Sequence, residues 1–401
     1  MSAEAGSRIA PADEAGVAAA VAAAHAEGVP LALEGRGTKA AMLRPVQAGR
    51  TLSLRNLTGI TFYKPEEMVI SARAGTPLAE IEAALAERNQ QIGAEPPDLR
   101  ALLGSGEATT GSLGGTVACN LSGPRRVVGF ALRDLVLGVR FVNGEGEVLR
   151  SGGRVHKNVT GLDLCKLLSG SHGTLGVLTE VTLKVGPAGE RTATLVLPVA
   201  DEAAGVAALS SGLTSPYGVT GAAMLPEGAS AAGVAGPVAL LRLEDVEASV
   251  TYRMARLGAA LPGGRVVEGE ESRALWRAIR DAAPLAAAAG EAVWRVSVRP
   301  SMAPGVVVAL RARIGARVML DWGGGLVWVA AAATAEAHSA VMAAAAGARG
   351  TFTLFRAPDP MRVSVPVIPE EVPALAALSA RVKAALDPGG RLNPGRMRAG
   401  L

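Results

Sequence analysis

Two cysteines, Cys119 and Cys165, are the only thiols among the 401 residues. They are 46 positions apart, so the chain holds no CxxC redox pair and no four-thiolate zinc or iron–sulfur site. Aromatic residues make up 3% of the chain, too few for the stacking platforms of a single-strand nucleic-acid binder. The excess of positive charge is +4, scattered and mostly arginine, which gives no basic patch for nucleic acid. No stretch reaches the ~20 apolar residues of a membrane-spanning helix; the longest, Leu326 to Ala335, falls well short. The opening Met1-Ser2-Ala3-Glu4, with further acids at Asp13 and Glu14, has no basic-then-apolar leader. The expectation is a cytoplasmic protein, at most peripheral at the inner face of the membrane. GK[ST], HExxH and GxSxG are absent, which removes the P-loop, zinc-peptidase and serine-hydrolase readings. The histidines His25, His156, His172 and His338 are too far apart in sequence to suggest a metal motif, so no metal is expected.

What is present is globular: 49% apolar and 19% charged residues, long enough for two or three domains of roughly 150 residues each. Short strands and helices alternate at the start. Asp13 to Glu27 reads as a helix ended by Gly28-Val29-Pro30, and Leu31 to Leu33 as a strand. Thr51 to Leu54, Gly59 to Tyr63 and Met68 to Ala74 read as further strands, and Thr76-Pro77 as the cap of a helix running to about Arg88. From Gly104 to Gly176 there are 16 glycines in 73 residues, about three times the usual ~7%. Such density costs stability in regular elements, so it signals tight turns or main chain that approaches a ligand closely. Strands are expected at Leu135 to Val142, Val148 to Arg150 and Gly176 to Val185. After Gly186-Pro187-Ala188-Gly189 the chain turns to alanine-rich helices and apolar strands holding all four tryptophans, which sets a boundary at 187–190. A last helix spans Val372 to Leu386.

Gly35-Arg36-Gly37-Thr38-Lys39-Ala40 follows a predicted strand and fits GxGxxA. A Rossmann site is nevertheless excluded, because Pro45 interrupts the helix that should follow and no acid lies between Glu34 and Glu66 to hold a ribose hydroxyl. A glycine turn of this kind still forms an anion nest from successive N–H groups, and Arg36 or Lys39 adds charge.

The second glycine cluster, Ala108-Thr109-Thr110-Gly111-Ser112-Leu113-Gly114-Gly115-Thr116-Val117-Ala118-Cys119-Asn120, resembles a flavin-contacting loop of the vanillyl-alcohol oxidase or PCMH-type FAD-binding family. Further pieces follow in that family's order: Leu132-Arg133-Asp134-Leu135-Val136-Leu137-Gly138-Val139 with Asn143-Gly144-Glu145-Gly146, then Lys157-Asn158-Val159-Thr160-Gly161-Leu162-Asp163-Leu164, then Gly170-Ser171-His172-Gly173-Thr174-Leu175-Gly176, and the tail Leu392-Asn393-Pro394-Gly395-Arg396-Met397. Leu162 stands where the family usually has tyrosine and His172 where it usually has glutamate. The resemblance implies an α+β fold: a PCMH-type two-subdomain FAD-binding domain over 1–187, a smaller α+β cap over 188–350, and a C-terminal segment, 351–401, returning to the first domain. It implies non-covalent FAD, its pyrophosphate on Gly35, Arg36, Gly37, Thr38 and Lys39 and on Ser112, Leu113, Gly114, Gly115 and Thr116, with Ala118 beside them. The adenine end would lie near Gly176 and Val177. Arg125, Arg126 and Lys157 are candidates for the cationic donors that a reduced flavin attracts.

Within the family, the Ser122-Gly123-Pro124-Arg125-Arg126 stretch resembles the FAD-binding subunits of bacterial glycolate oxidases (glycolate dehydrogenases). That implies an FAD-dependent oxidoreductase subunit acting on CH–OH, with a catalytic FAD subunit and an iron–sulfur subunit as partners, a small 2-hydroxy acid as the substrate of the complex, and no nucleic acid. Two other readings stay open: a self-contained FAD-dependent 2-hydroxy acid dehydrogenase, and a structural subunit without redox traffic. No catalytic residue is assigned, although His156 beside Lys157 is the one residue that would rescue a self-contained mechanism.

Overall fold

The computed structural model describes residues 7–107, 109–154, 161–286 and 288–400. The first half carries two main sheets and a two-stranded pairing of Gln90–Gln91 with Gly186–Pro187. A three-stranded parallel sheet has Arg50–Ser53 between Ser7–Ile9 and Leu31–Glu34. A parallel pair needs a crossover, and helix Glu14–Glu27 supplies the first. Asp13 caps that helix by accepting from Gly16 N at 2.7 Å, and Gly28, at φ 70°, ends it. The five-stranded antiparallel sheet runs Ile60–Lys64, Val69–Arg73, Val177–Lys184, Val136–Val142, Val148–Gly152. Its apolar residues and those of the parallel sheet share one core, with Leu31, Leu52, Ile70, Phe141 and Val181 buried.

The second half is built on an eight-stranded antiparallel sheet in the order Arg265–Glu268, Arg191–Pro198, Val238–Asp245, Gly221–Leu225, Arg317–Asp321, Leu326–Ala332, Glu291–Ser297, Thr351–Arg356. Central strands such as Gly221–Leu225 and Val238–Asp245 are buried almost throughout, hence their continuous apolar sequence. Along Glu291–Ser297 the side chains alternate. Trp294 donates from Nε1 to His338 of helix Ala335–Gly347 at 3.2 Å, and Arg295 lies on the opposite face among Trp322, Trp328 and Phe355. The sheet runs on to Arg356, beyond residue 350 where the sequence reading ended the cap, because Phe352 and Leu354 complete its core. The chain then returns to the first half: Leu31 N donates to Arg391 O at 2.8 Å, and Leu33 N to Asn393 Oδ1 at 2.7 Å.

The two halves meet around a closed set of charges. Glu95 and Arg125 come from the first half, Arg242 and Glu244 from strand Val238–Asp245. Arg125 is 2.7 Å from Glu244 and 3.8 Å from Glu95, and Arg242 is 2.9 Å from Glu95 and 3.1 Å from Glu244. Each acid therefore faces both arginines. Trp322 adds a link by donating from Nε1 to Gly123 O at 3.0 Å.

Candidate functional site

The strand Leu31–Glu34 delivers Gly35 to the mouth of a cavity of about 470 Å³, within the range of small-molecule sites. Gly37 turns the chain at φ 78°, a conformation glycine adopts without strain. The backbone N–H groups of Arg36, Gly37, Thr38 and Lys39 find no acceptor among the described residues. Four consecutive unused donors beside a cavity suit a multiply charged oxyanion. Arg36 itself turns aside to donate to Thr109 Oγ1 at 2.7 Å.

The second loop closes on the first. A Cβ on Gly35 would fall 1.9 Å from Ser112 Oγ, so glycine there lets the two loops touch. Ser112 Oγ accepts from Gly115 N at 3.3 Å. A Cβ on Gly115 would meet only that hydroxyl, at 3.1 Å, and otherwise open cavity. Gly114 is different: its Cβ would strike Ala74 at 2.6 Å, so part of the glycine requirement comes from packing against strand Val69–Arg73 and its extension.

Of the expected residues, Gly35 to Lys39, Ser112, Gly114, Gly115, Ala118 and Val177 line this one cavity. Leu113 is instead buried in the core, and Thr116 donates to Ser112 O at 2.9 Å and holds the loop from behind. Gly176 packs against Phe141, where a Cβ would lie 2.8 Å from the ring. Arg125 is not on the cavity wall: its guanidinium forks onto Glu244 at 2.8 and 2.7 Å, and a donor so engaged between two acids serves the domain junction. Arg126 likewise stacks over Trp322, 4.9 Å from the ring centre. Lys157 and His156 lie outside the described residues.

The cavity also has walls that the sequence reading did not include: Cys119, His172, Asn393, Arg362 and Arg396. The tail motif around Asn393 and Arg396 carried the signal for two of them; Arg362 has no motif. Burial pushes His172 down to about 3, so its imidazole is neutral, and its buried Nδ1 has no partner among the described residues. Burial raises the Cys119 thiol, with Lys39 and Arg396 pulling the other way. Lys39 is pushed down by burial; its ammonium packs against Gly111 and donates to Thr38 Oγ1 at 3.4 Å. Burial, with Arg362 alongside, brings Arg396 down to about 10. Lys39, Arg362 and Arg396 thus bring positive charge to the lining, where Glu34 and Asp359 are the acids. Among the described residues, no group of three or more His, Cys, Asp or Glu is placed to hold a metal ion.

Unused amide donors, glycines where a Cβ would intrude, an orphaned imidazole nitrogen and the basic residues Lys39 and Arg396 on the lining fit a dinucleotide with a diphosphate centre. The comparisons agree. Residues 7–152 match the FAD binding domain family. The fold is shared with 4-ethylphenol oxidase from Gulosibacter chungangensis, solved as an isoeugenol complex, at a TM-score of 0.68 and 14% identity over 98% of this chain and 89% of that one. The chain is thus an FAD-dependent oxidoreductase with the PCMH-type fold. It is 36% identical over 373 residues to the glycolate oxidase subunit GlcE of Escherichia coli (strain K12), covering 93% of each chain, and it belongs to that subunit's family. A D-lactate dehydrogenase of Anaerostipes hadrus is 35% identical over 153 residues, 38% of this chain and 30% of that protein.

Proposed function

We propose that this chain is the FAD-carrying subunit of a multi-subunit glycolate oxidase, moving electrons from 2-hydroxy acid oxidation together with a catalytic flavoprotein and an iron–sulfur subunit. The observation that carries the reading is the likeness to GlcE, which runs through the cap as well as the FAD-binding half, over 93% of both chains. Bound FAD would supply a two-electron acceptor that can pass electrons on. The residues that would hold it are the free amides of Arg36 to Lys39, Ser112 and Gly115 of the second loop, and Val177 at the far end. Lys39 would place its charge beside the diphosphate. Binding is non-covalent in this reading: the pyrophosphate turn Gly35 to Thr38 carries no histidine to attach the flavin, and the Cys119 thiol is raised by burial and so is a poor nucleophile. Acid precipitation of the holoprotein tests attachment through either Cys119 or His172 on the wall. In this reading the subunit works in the cytoplasm, peripheral at most at the inner face of the membrane. No helix among the described residues is long and apolar enough to cross a membrane.

Copurification with tagged neighbouring subunits, followed by a visible spectrum, tests this. Flavin that glycolate reduces only when the partners are present supports the reading. Assembly without any flavin in this chain would leave a structural subunit, and glycolate reduction by the chain alone would make it a self-contained dehydrogenase.

A further inference from the structure

The first glycine loop runs on into the segment Lys39 to Arg44, and the carbonyls of that segment share an unusual fate. Arg396, from the tail, donates to the carbonyls of Lys39 at 2.8 Å, Ala40 at 3.2 Å and Arg44 at 3.0 Å. Arg362, in the short helix Asp359–Ser364, donates to those of Ala40 at 2.9 Å and Met42 at 3.0 Å, and its Nε donates to that of Leu43. Five of six successive carbonyls are thus held by two arginines more than 300 residues away in sequence. The tail is gripped in return, since Arg44 N donates to Arg396 O at 3.2 Å.

The segment needs holding. Leu43 sits at φ 52°, a region that costs a branched residue energy, and it persists only where surroundings over-determine it. The side chains of Met42 and Leu43 are buried in the core of the cap, so the segment bridges the two halves. Lys39, Ala40, Ala41, Pro45 and Val46 line the cavity, as do Arg362 and Arg396. Arg396 has no carboxylate partner among the described residues, and Arg362 has only Asp359, which is largely exposed.

We propose that Arg362 and Arg396 are positioning residues: a two-arginine latch by which the last 45 residues fix the segment Lys39–Arg44 in the shape that retains FAD. This rests on FAD occupying the cavity. The forked guanidinium matters as well as the charge, because a lysine ammonium cannot span carbonyls spread over six residues.

The test is amide hydrogen exchange across residues 37–46 of the FAD-free full chain, alongside FAD affinity by fluorescence titration, in Arg362→Met, Arg396→Met and Arg396→Lys. In both methionine variants, exchange over 37–46 should quicken and FAD affinity fall, each by about 10-fold to 100-fold, as expected for lost charge-assisted hydrogen bonds. Exchange over strand Glu291–Ser297 should stay as in the parent. Arg396→Lys, which keeps the charge and is the variant surest to fold, should still show faster exchange and weaker binding. Parent-like exchange in the methionine variants, or full FAD affinity in Arg396→Lys, overturns the latch. Gly115→Val separates this from the placement of FAD: retained FAD there overturns the placement, and FAD lost there but kept in both methionine variants overturns the latch alone.

Discussion

Replacing Glu95 by Gln should cost the protein about 3 kcal/mol at neutral pH. Glu95 lies at the junction of the two halves, its side chain 10% exposed, facing Arg242 at 2.9 Å and Arg125 at 3.8 Å. Burial alone would raise its pKa, but Arg242 first and Arg125 second overcome burial and bring it to about 2, from an ordinary 4.5. At 1.36 kcal/mol per unit, that gap is worth about 3 kcal/mol, the low end of the ~3–5 kcal/mol lost when one partner of a buried pair is removed. A depressed carboxylate contributes stability that is fully present above pH 4.5 and is lost as pH falls toward 2. The assay is chemical denaturation of parent and Glu95→Gln at pH 7 and at successively lower pH, followed by the fluorescence of the four tryptophans, all in the cap half. The gap between the proteins should be about 3 kcal/mol at pH 7 and shrink steadily below pH 4.5. Equal midpoints at pH 7, or a gap that does not change with pH, would refute the reasoning that this four-charge junction fastens the cap.

Gly115→Val should abolish FAD retention while leaving the far-UV circular dichroism unchanged, because its side chain meets open cavity; Gly114→Val should lower thermal stability as well, because its side chain meets Ala74. Acid precipitation of the holoprotein should leave the flavin in the supernatant, and colour in the pellet would show a covalent bond. Burial raises Asp321 to about 7 from an ordinary 3.8, with the Trp322 amide pulling the other way. A raised carboxylate destabilises progressively as pH rises from about 4 to 7. Asp321→Asn, which can keep the bond from Trp322 N, should therefore stabilise by up to about 4 kcal/mol at pH 8 and change little near pH 4. Thermal melts at both pH values check this, and an equal shift at the two would contradict it.

Much of the fold was legible because local signals were strong. Asp13, expected as the first helical residue, is instead the cap of a helix over Glu14–Glu27 that Gly28 ends, and the apolar alternations before Gly75 became strands within a residue or two. The glycine loops were legible because a close backbone approach requires glycine, as Gly35 against Ser112 shows. What the sequence hid was long-range. Arg125 sits in a motif that suggested the flavin, yet its partner, Glu244, is 119 positions away. Arg362 binds backbone carbonyls, which carry no sequence identity, so no residue pattern could announce it. Cys119 reaches the cavity from the end of the second loop's helix and His172 from the turn over residues 170–173, 53 residues later, a convergence set by packing and not by spacing.

In the proposed function this chain carries FAD for a complex and does not oxidise the substrate alone. Taking a hydride from a 2-hydroxy acid requires a group to hold the carboxylate and a base or metal to take the hydroxyl proton. Anaerobic mixing of the isolated, FAD-loaded protein with excess glycolate or D-lactate, followed at the flavin absorption band, asks for that chemistry directly. The account predicts that the band persists until the partner subunits are added. Bleaching by the isolated chain at catalytically useful rates, abolished in His156→Ala, would contradict it and establish an independent dehydrogenase.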